Sequence, residues 1–454
     1  MWNDIETTND YLHFSVVSGT VADLIIESGD NPISIGVSGN WGSGKSSMVK
    51  MIGKELKKKD DGKQKYLFLE FNAWLYQGYD DAKAALLQAV DFVIIAMSVV
   101  SADKAILRRN SPDGWTRQIN LEIPLQKAEE WEKVKDKLEK MLRFLSGDFW
   151  KLTFTQLPES IALDNFTEDR DKDCVCLLSG GMDSLVGGID LCEYGKKPLF
   201  VAQTVRGDAA HQREYANTLG KDNLCQWSCY ISKRGASENT TRARSIVFFA
   251  FALLASFGVS ANEQGKKTIY VPENGFISLN IPLDILRSGS LSTKTTHPIY
   301  MTALQEIWDE MGFNVDLVLP YQYKTKGEVL LECKNQSLMR SLIMGTTSCG
   351  KYARHGYRHC GVCIPCLVRR ASFMKARMSD RTEGGYCIEN LKATTSRDVA
   401  AAALGVAQYE KYGIESLIKG ELNFASGEDR KKYAEVFERG LCEIRDLLRI
   451  GEVL

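Results

Sequence analysis

What the sequence lacks narrows it first. Neither charge is in surplus: 57 Lys and Arg face 58 Asp and Glu, a net charge of −1. Nothing global therefore points to a nucleic-acid or membrane surface. The opening Met1-Trp2-Asn3-Asp4 has neither the basic nor the apolar stretch of a secretory leader, so a cytoplasmic location is expected. The longest apolar run is read as Ile246 to Val259, too short to span a bilayer and suited to a core helix. No internal repeat and no low-complexity segment is visible. A disulfide framework is not expected, because twelve cysteines in a leaderless chain suggest a reducing compartment and thiol or metal chemistry. At 454 residues, with 44% apolar and 25% charged, the chain has room for two or three ordinary globular domains.

What is present is dominated by Ser179-Gly180-Gly181-Met182-Asp183-Ser184. It follows the apolar run Cys174-Val175-Cys176-Leu177-Leu178 and precedes an amphipathic stretch from Leu185. Strand, glycine turn and helix aim backbone N–H groups and a positive helix end at an anion. The glycines permit close approach, and the serines add hydroxyl donors. Asp183 adds a carboxylate able to hold Mg²⁺ beside a pyrophosphate. The string looks like the pyrophosphate loop of ATP pyrophosphatases, which activate substrates by adenylation. The plainer alternative is a glycine turn in an ordinary Rossmann-like unit.

A second nucleotide loop stands near the start. Ile33 to Val37 alternates as a strand, and Gly39-Asn40-Trp41-Gly42-Ser43-Gly44-Lys45-Ser46 fits G-x-x-x-x-G-K-[ST] before a helical run, Met48 to Leu56. Gly39 and Gly44 would let backbone amides cradle phosphates, Lys45 would reach the outer phosphates, and Ser46 would bind Mg²⁺. Tyr66 to Phe71 reads as the next strand, running into Asn72-Ala73-Trp74. Together these strings resemble the KAP family of P-loop ATPases over residues 15 to 96. That resemblance implies a later strand ending in an acidic residue, and none is found. Asp91 lies in the middle of Leu86 to Ile95, which reads as a helix. Residues 1–96 are therefore read as a partial P-loop segment: a degenerate docking module, one completed by another polypeptide, or the front of a fused gene, with Met97 a plausible second start. Independent ATP hydrolysis by it is not expected.

Residues 97–165 carry no chemical motif and are read as an accessory α/β segment, with short strands at Ala105–Leu107 and Ile119–Ile123 and a helical pattern from Lys127 to Leu145. From residue 166 to 380 strands and helices alternate: Pro198–Ala202, Leu224–Ile231 and Thr268–Val271 as strands, His211–Leu219 and Ser245–Ser256 as helices. Such alternation argues for a doubly wound parallel sheet, whose ligands bind beyond the strands' carboxyl ends. Arg242 and Arg244 open the apolar helix and are candidates for phosphate or substrate carboxylate, or simply a surface pair. Glu273-Asn274-Gly275 ends a strand and offers polar groups, or only a turn. Lys326 starts a helix and could neutralise pyrophosphate. Ser292 to Pro298 is a hydroxyl-rich loop that closes over substrate or merely caps the helix at Ile299. Residues 381–454 read as a helical segment.

Cys349, Cys360, Cys363 and Cys366 form C-x₁₀-C-x₂-C-x₂-C, a spacing that suits a closed, structural Zn²⁺ site. Iron–sulfur ligation shares such spacings, and scattered buried cysteines are the plain alternative. His355 and His359 sit in the same loop, outside the ligand set.

In this order, the Ser179–Ser184 loop, the apolar helix after Arg244, Lys326-Gly327-Glu328 and Thr347-Ser348-Cys349 leading into the cysteine cluster resemble the 7-cyano-7-deazaguanine synthases of queuosine biosynthesis. The resemblance covers about residues 170 to 380. It implies an adenine nucleotide α-hydrolase fold of PP-loop type. It also implies that ATP is used twice to turn a carboxy-deazaguanine into an amide and then a nitrile, with ammonia as nitrogen donor. By this resemblance Ser179, Asp183, Ser184 and Lys326 act in catalysis, Gly180, Gly181, Met182 and Arg244 bind nucleotide, and the zinc is structural. Two segments depart from the family pattern: Thr204 to Asp208, and Phe276 through His297. Both would touch the base, so ATP use carries over better than substrate identity. With the KAP-like front, the chain resembles the Qat-type synthase-like proteins of antiphage operons. The expected partners are a small-molecule carboxylate and operon proteins, including a KAP ATPase and a protein amine to be modified. A non-catalytic reading, a nucleotide-binding scaffold that assembles a defence complex, stands beside it.

Overall fold

The computed structural model describes residues 13–28, 35, 37, 45–59, 79–157, 171–204, 207–229, 237–238, 240, 242–284, 294–418 and 420–454. The chain divides into two units, Met1–Glu70 with Asn165–Thr167, and Phe71–Asp164 with Glu168–Leu454.

In the first unit, helices α1 (Ser15–Glu27) and α2 (Lys45–Lys59) pack through Ala22, Ile52 and Leu56, flanked by Val21, Ile25 and Met48. Lys59 pairs with Asp23 and donates to the Gly19 carbonyl. The strands expected at Ile33–Val37 and Tyr66–Phe71, the residues Gly39 to Gly44 and the Asn72-Ala73-Trp74 string lie largely or wholly outside the described residues.

The second unit begins with α3 (Tyr79–Ala105). Its stretch Ala84–Ala105 is long and apolar enough to cross a membrane, with mean hydropathy 2.0, so it displaces Ile246–Val259 as the longest apolar run. Half of that stretch is buried inside the protein. Phe92, Ile95, Ala96 and Val99 have no exposed surface, and Phe92 stacks on Trp131 at 5.6 Å. The helix passes Met97 without a break and continues to Ala105, which replaces the short strand expected at Ala105–Leu107 by helix and turn. Next come the parallel pair β1 (Gln118–Leu125) and β2 (Phe149–Gln156), joined by α4 (Ala128–Lys133) and α5 (Lys135–Ser146).

The main sheet holds β3 (Cys174–Leu177), β4 (Pro198–Gln203), β5 (Leu224–Trp227), β6 (Lys267–Tyr270) and β7 (Val315–Val318). All its pairings are parallel, in the order β5-β4-β3-β6-β7. Parallel neighbours need crossover connections, and the helices supply them: α6 (Met182–Glu193), α7 (Ala209–Leu219), α8 (Arg244–Ser256), and α9 (Gly275–Leu279) with α10 (Pro298–Glu310). Every residue of β3 is buried, as expected of a strand covered on both faces. The chain ends in α11 (Lys326–Leu331), α12 (Gln336–Leu342), α13 (Ile364–Lys375), α14 (Arg397–Tyr412), α15 (Glu415–Ile418) and α16 (Gly427–Ile450). The last three pack with α13 and the four clustered cysteines in one apolar core.

Candidate nucleotide and metal sites

The strand order turns back at β3, which places the loop after β3 at the crevice where open parallel sheets bind ligands. That loop is Ser179–Ser184. Gly180 has φ +89°, and a Cβ there would meet the Asp208 side chain at 3.2 Å, so both its conformation and its close packing call for glycine. Gly181 caps α6 without a side-chain bond, leaving the first-turn N–H groups to a ligand. The Ser179 and Ser184 hydroxyls lie 3.1 Å apart, and Ser179 Oγ accepts from the Gly181 N–H. The loop is held from outside as well. Gln212 donates to the Ser179 carbonyl at 3.1 Å, and the Thr347 N–H to the Gly180 carbonyl at 3.0 Å. Met182 starts α6 but buries its side chain in the core, so only its backbone remains for a ligand.

Under the loop sits a buried charge cluster. Lys326 Nζ lies 2.5 Å from Asp183 Oδ2, and Asn274 Nδ2 donates to the same oxygen at 2.9 Å. Asn274 also donates to Glu273 at 3.2 Å. Burial alone would raise the Asp183 carboxyl; the Lys326 ammonium and the bonds from Glu273 and Asn274 hold it below its ordinary value. Burial and then the Asp183 charge push Glu273 well above its own. Asp183 Oδ1 is buried and has no partner. Asp183 and Glu273 are oxygen donors of the kind Mg²⁺ takes, and holding the cation there would require Glu273 to release the proton it keeps beside Asp183.

A cavity of about 490 Å³ is lined by Ser179 and Ser184 of the loop, Glu273 of the cluster, and Gln203, Asp208, Arg244, Phe248, Thr295, Thr347 and Tyr352 among others, while Asp183, Asn274 and Lys326 lie behind this lining. Arg244 extends into the cavity, and among the described residues its guanidinium has no hydrogen-bond or ion-pair partner. The residue keeps exposed surface, yet partial desolvation by neighbouring protein lowers its proton affinity, and the Asp208 charge restores part of it. Such a cation suits an anionic ligand group. Asp208 hydrogen-bonds Thr347 but leaves Oδ1 unpartnered, and burial raises its carboxyl.

Arg242 is not part of this site. It is buried and donates to the Ser146 carbonyl, beside the cluster in which Arg108 and Arg117 share Asp148 at 2.8 and 2.6 Å. The two candidate arginines thus separate, one to the cavity and one to the framework. Asp91 is likewise structural: its two oxygens accept the Gln126 and Lys127 N–H groups, both at 2.8 Å. His297 caps α10 by accepting from the Ile299 N–H. Thr295 and Thr296 line the cavity, while Ser292 and Thr293 lie outside the described residues.

The sulfurs of Cys349, Cys360, Cys363 and Cys366 all lie within 4.8 Å of one another. Tetrahedral Zn²⁺ with Zn–S of about 2.3 Å needs sulfurs about 3.8 Å apart. Cys349 and Cys363 stand 3.9 Å apart, Cys360 and Cys366 3.8 Å. Backbone N–H groups of Lys351 and Cys360 donate to Cys349 Sγ, and that of Cys363 to Cys360 Sγ, as thiolates require. The four residues therefore fit zinc. The cluster also shapes the cavity, because Cys349 and Gly350 line it two and three residues beyond Thr347. This segment is clamped by His359, whose Nε2 accepts from the Ser348 N–H, and by buried Arg369, which donates to Thr346 at 2.8 and 2.9 Å. Burial lowers His359 to about 4, keeping it neutral. Gln212, His359 and Arg369 were not singled out as loop supports by sequence; their bonds span 11 to 33 residues and carry no local signature.

Comparison with known proteins bears on the other loop. Residues 14–146 match the KAP family P-loop domain. No curated protein matches the chain. The KAP match contains Lys45 and Ser46, and P-loop NTPases bind ATP with Mg²⁺, so nucleotide binding or hydrolysis attaches to this part of the chain. Lys45 is the first residue of α2, and Gly39 and Gly44 lie outside the described residues. The KAP match runs past residue 96 through β1, α4 and α5, the stretch read from sequence as accessory. Within it β1 ends at Leu125 and is followed by Gln126 and Lys127, neither of them acidic.

Proposed function

We propose that residues 166–380 form a PP-loop adenylating domain, similar to the 7-cyano-7-deazaguanine synthases, and that the chain serves a Qat-type antiphage system. The observation that carries the reading is the buried Asp183–Lys326 pair beneath the Ser179–Ser184 loop, close to a cavity that Arg244 also lines. The five-stranded parallel sheet and the zinc-type cysteine cluster support the same reading.

In this mechanism the loop amides and the Ser179 and Ser184 hydroxyls bind the ATP phosphates. Asp183 and an ionised Glu273 would hold Mg²⁺, which would supply charge neutralisation at the phosphates. Lys326 then turns from Asp183 to the departing pyrophosphate. Arg244 orients the substrate carboxylate, whose oxygen attacks the α-phosphorus while the bond to the β-phosphate bridging oxygen breaks. The products of this half-reaction are an acyl-adenylate and pyrophosphate. Ammonia or a protein amine then attacks the acyl carbon, expelling AMP and leaving an amide. For ammonia, a second adenylation of the amide oxygen and loss of AMP gives the nitrile. Preorganised donors of this kind contribute on the order of 3–4 kcal/mol each to transition-state stabilisation. The substrate class is a small carboxylate such as 7-carboxy-7-deazaguanine, and the protein acceptor would be an operon partner.

Incubation of the full chain with ATP, Mg²⁺, 7-carboxy-7-deazaguanine and operon partners, read by pyrophosphate release and intact-mass spectrometry, tests this. The reading expects pyrophosphate, with a mass shift on a partner if the acceptor is a protein. Absence of pyrophosphate with complex assembly preserved favours the nucleotide-binding scaffold, which the P-loop family match at residues 14–146 supports.

A further inference from the structure

The C-terminal helix reaches the candidate site through one side chain. Glu443 is 118 residues from Thr325, yet Thr325 Oγ1 donates to Glu443 Oε1 at 2.5 Å. The same Thr325 hydroxyl caps α11, accepting from the Glu328 N–H at 3.1 Å, while Glu328 reaches back to the Thr325 N–H at 2.9 Å. A hydroxyl has one proton to give. Sending it to Glu443 leaves the lone pairs for the cap. Glu443 also accepts from the Gly327 N–H, so it binds both neighbours of Lys326 in the chain. Packing there is close: a Cβ on Gly327 would fall 2.6 Å from the Lys375 side chain and 2.7 Å from Glu443 Oε1. One turn earlier on α16, Arg439 pairs with Glu328 at 2.6 Å and donates to the Tyr323 carbonyl at 2.8 Å. The turn that launches Lys326 toward Asp183 is therefore gripped from α16 at four points.

Resting on the adenylating reading, we propose that Glu443 is a positioning residue for Lys326, and that α16 is thereby part of the pyrophosphate-binding machinery. Thr325 and Glu328 on α11, Lys375 on α13 and Arg439 on α16 are the polar and charged groups that surround it. Burial pushes the Glu443 carboxyl up to about 7. Ionised, it is the stronger acceptor for the Thr325 hydroxyl and the Gly327 N–H.

The test uses the full chain, Mg²⁺ and inorganic pyrophosphate, with affinity measured calorimetrically from pH 6 to pH 8. Lys326→Ala is the reference loss. Glu443→Ala should weaken pyrophosphate binding about tenfold, the equivalent of one charge-assisted hydrogen bond. Glu443→Gln keeps an acceptor oxygen and should bind nearly as wild type at pH 6. The ratio of wild-type to Glu443→Gln affinity should then rise through pH 7, a titration that loss of folding stability would not produce. If Lys326→Ala weakens binding and both Glu443 variants match wild type at every pH, this inference fails and the adenylating reading stands. If wild type binds no better than Lys326→Ala, the adenylating reading fails and takes this inference with it.

Discussion

Two glycine-rich loops of this chain differ in what supports them. Gly39–Ser46 falls within a match to the KAP family P-loop domain, yet β1, the strand described within that match, ends without an acid. Ser179–Ser184 falls outside it, yet it stands over a buried carboxylate–ammonium pair at the turning point of a five-stranded parallel sheet. A motif match identifies a phosphate cradle; a reaction also needs groups placed around the cradle. The difference teaches that the better-matched loop and the better-equipped loop need not be the same.

The largest expected effect separates the loops directly. Asp183→Ala should lower ATP-dependent pyrophosphate release about a thousandfold, as loss of a charge centre in a preorganised site does, whereas Lys45→Ala should change it less than about threefold. A reversed pattern in the same assay would transfer the chemistry to the first loop.

Removing the metal comes next. Metal analysis of the purified chain should find one zinc per chain and no visible iron–sulfur absorption. Cys360→Ser should cost on the order of 3–5 kcal/mol in denaturant unfolding, because ligand binding is folding free energy here. Nucleotide binding at Lys45 should persist without zinc. An iron–sulfur spectrum would replace zinc in this account.

The two arginines sharpen the comparison between site and framework. Arg244→Ala should lower kcat/KM for the carboxylate substrate about ten- to a hundredfold with little change in Tm. Arg242→Ala should instead cost on the order of 3 kcal/mol of stability, since it removes a buried partner of the Ser146 carbonyl near the shared Asp148. Equal loss of Tm in both would erase the distinction.

The smallest effect concerns pH. The Glu443 carboxyl titrates near 7 in the folded state, above the usual 4.5. A raised carboxyl stabilises when protonated; that contribution is complete below about pH 4.5 and is lost as pH rises through 7. Glu443→Gln should therefore gain roughly 1–3 kcal/mol over wild type at pH 8 and nothing near pH 4. Urea unfolding at both values checks the sign.

The sequence made some of this legible for physical reasons. β3 and β4, through Ala202, are continuous apolar runs because both faces are covered. The cysteine ligands lie within 18 residues of one another, so spacing alone announces them. Asp91 as a helix residue and His297 as a cap were readable locally. Arg242 and Arg244 were not separable, being two residues apart at one helix start. Their fates depend on Ser146, 96 residues away, and on a cavity built by several loops. The length of α3 was hidden because Asp91 and Lys104 interrupt its apolar run. Glu443 gave no signal at all, since its only relevant partners are more than a hundred residues distant.

The most direct measurement is the identity of the ATP products. With ATP, Mg²⁺ and 7-carboxy-7-deazaguanine, phosphorus NMR of the full-chain reaction should show AMP and pyrophosphate, abolished by Asp183→Ala and retained in Lys45→Ala. ADP and orthophosphate, lost in Lys45→Ala and retained in Asp183→Ala, would contradict the account.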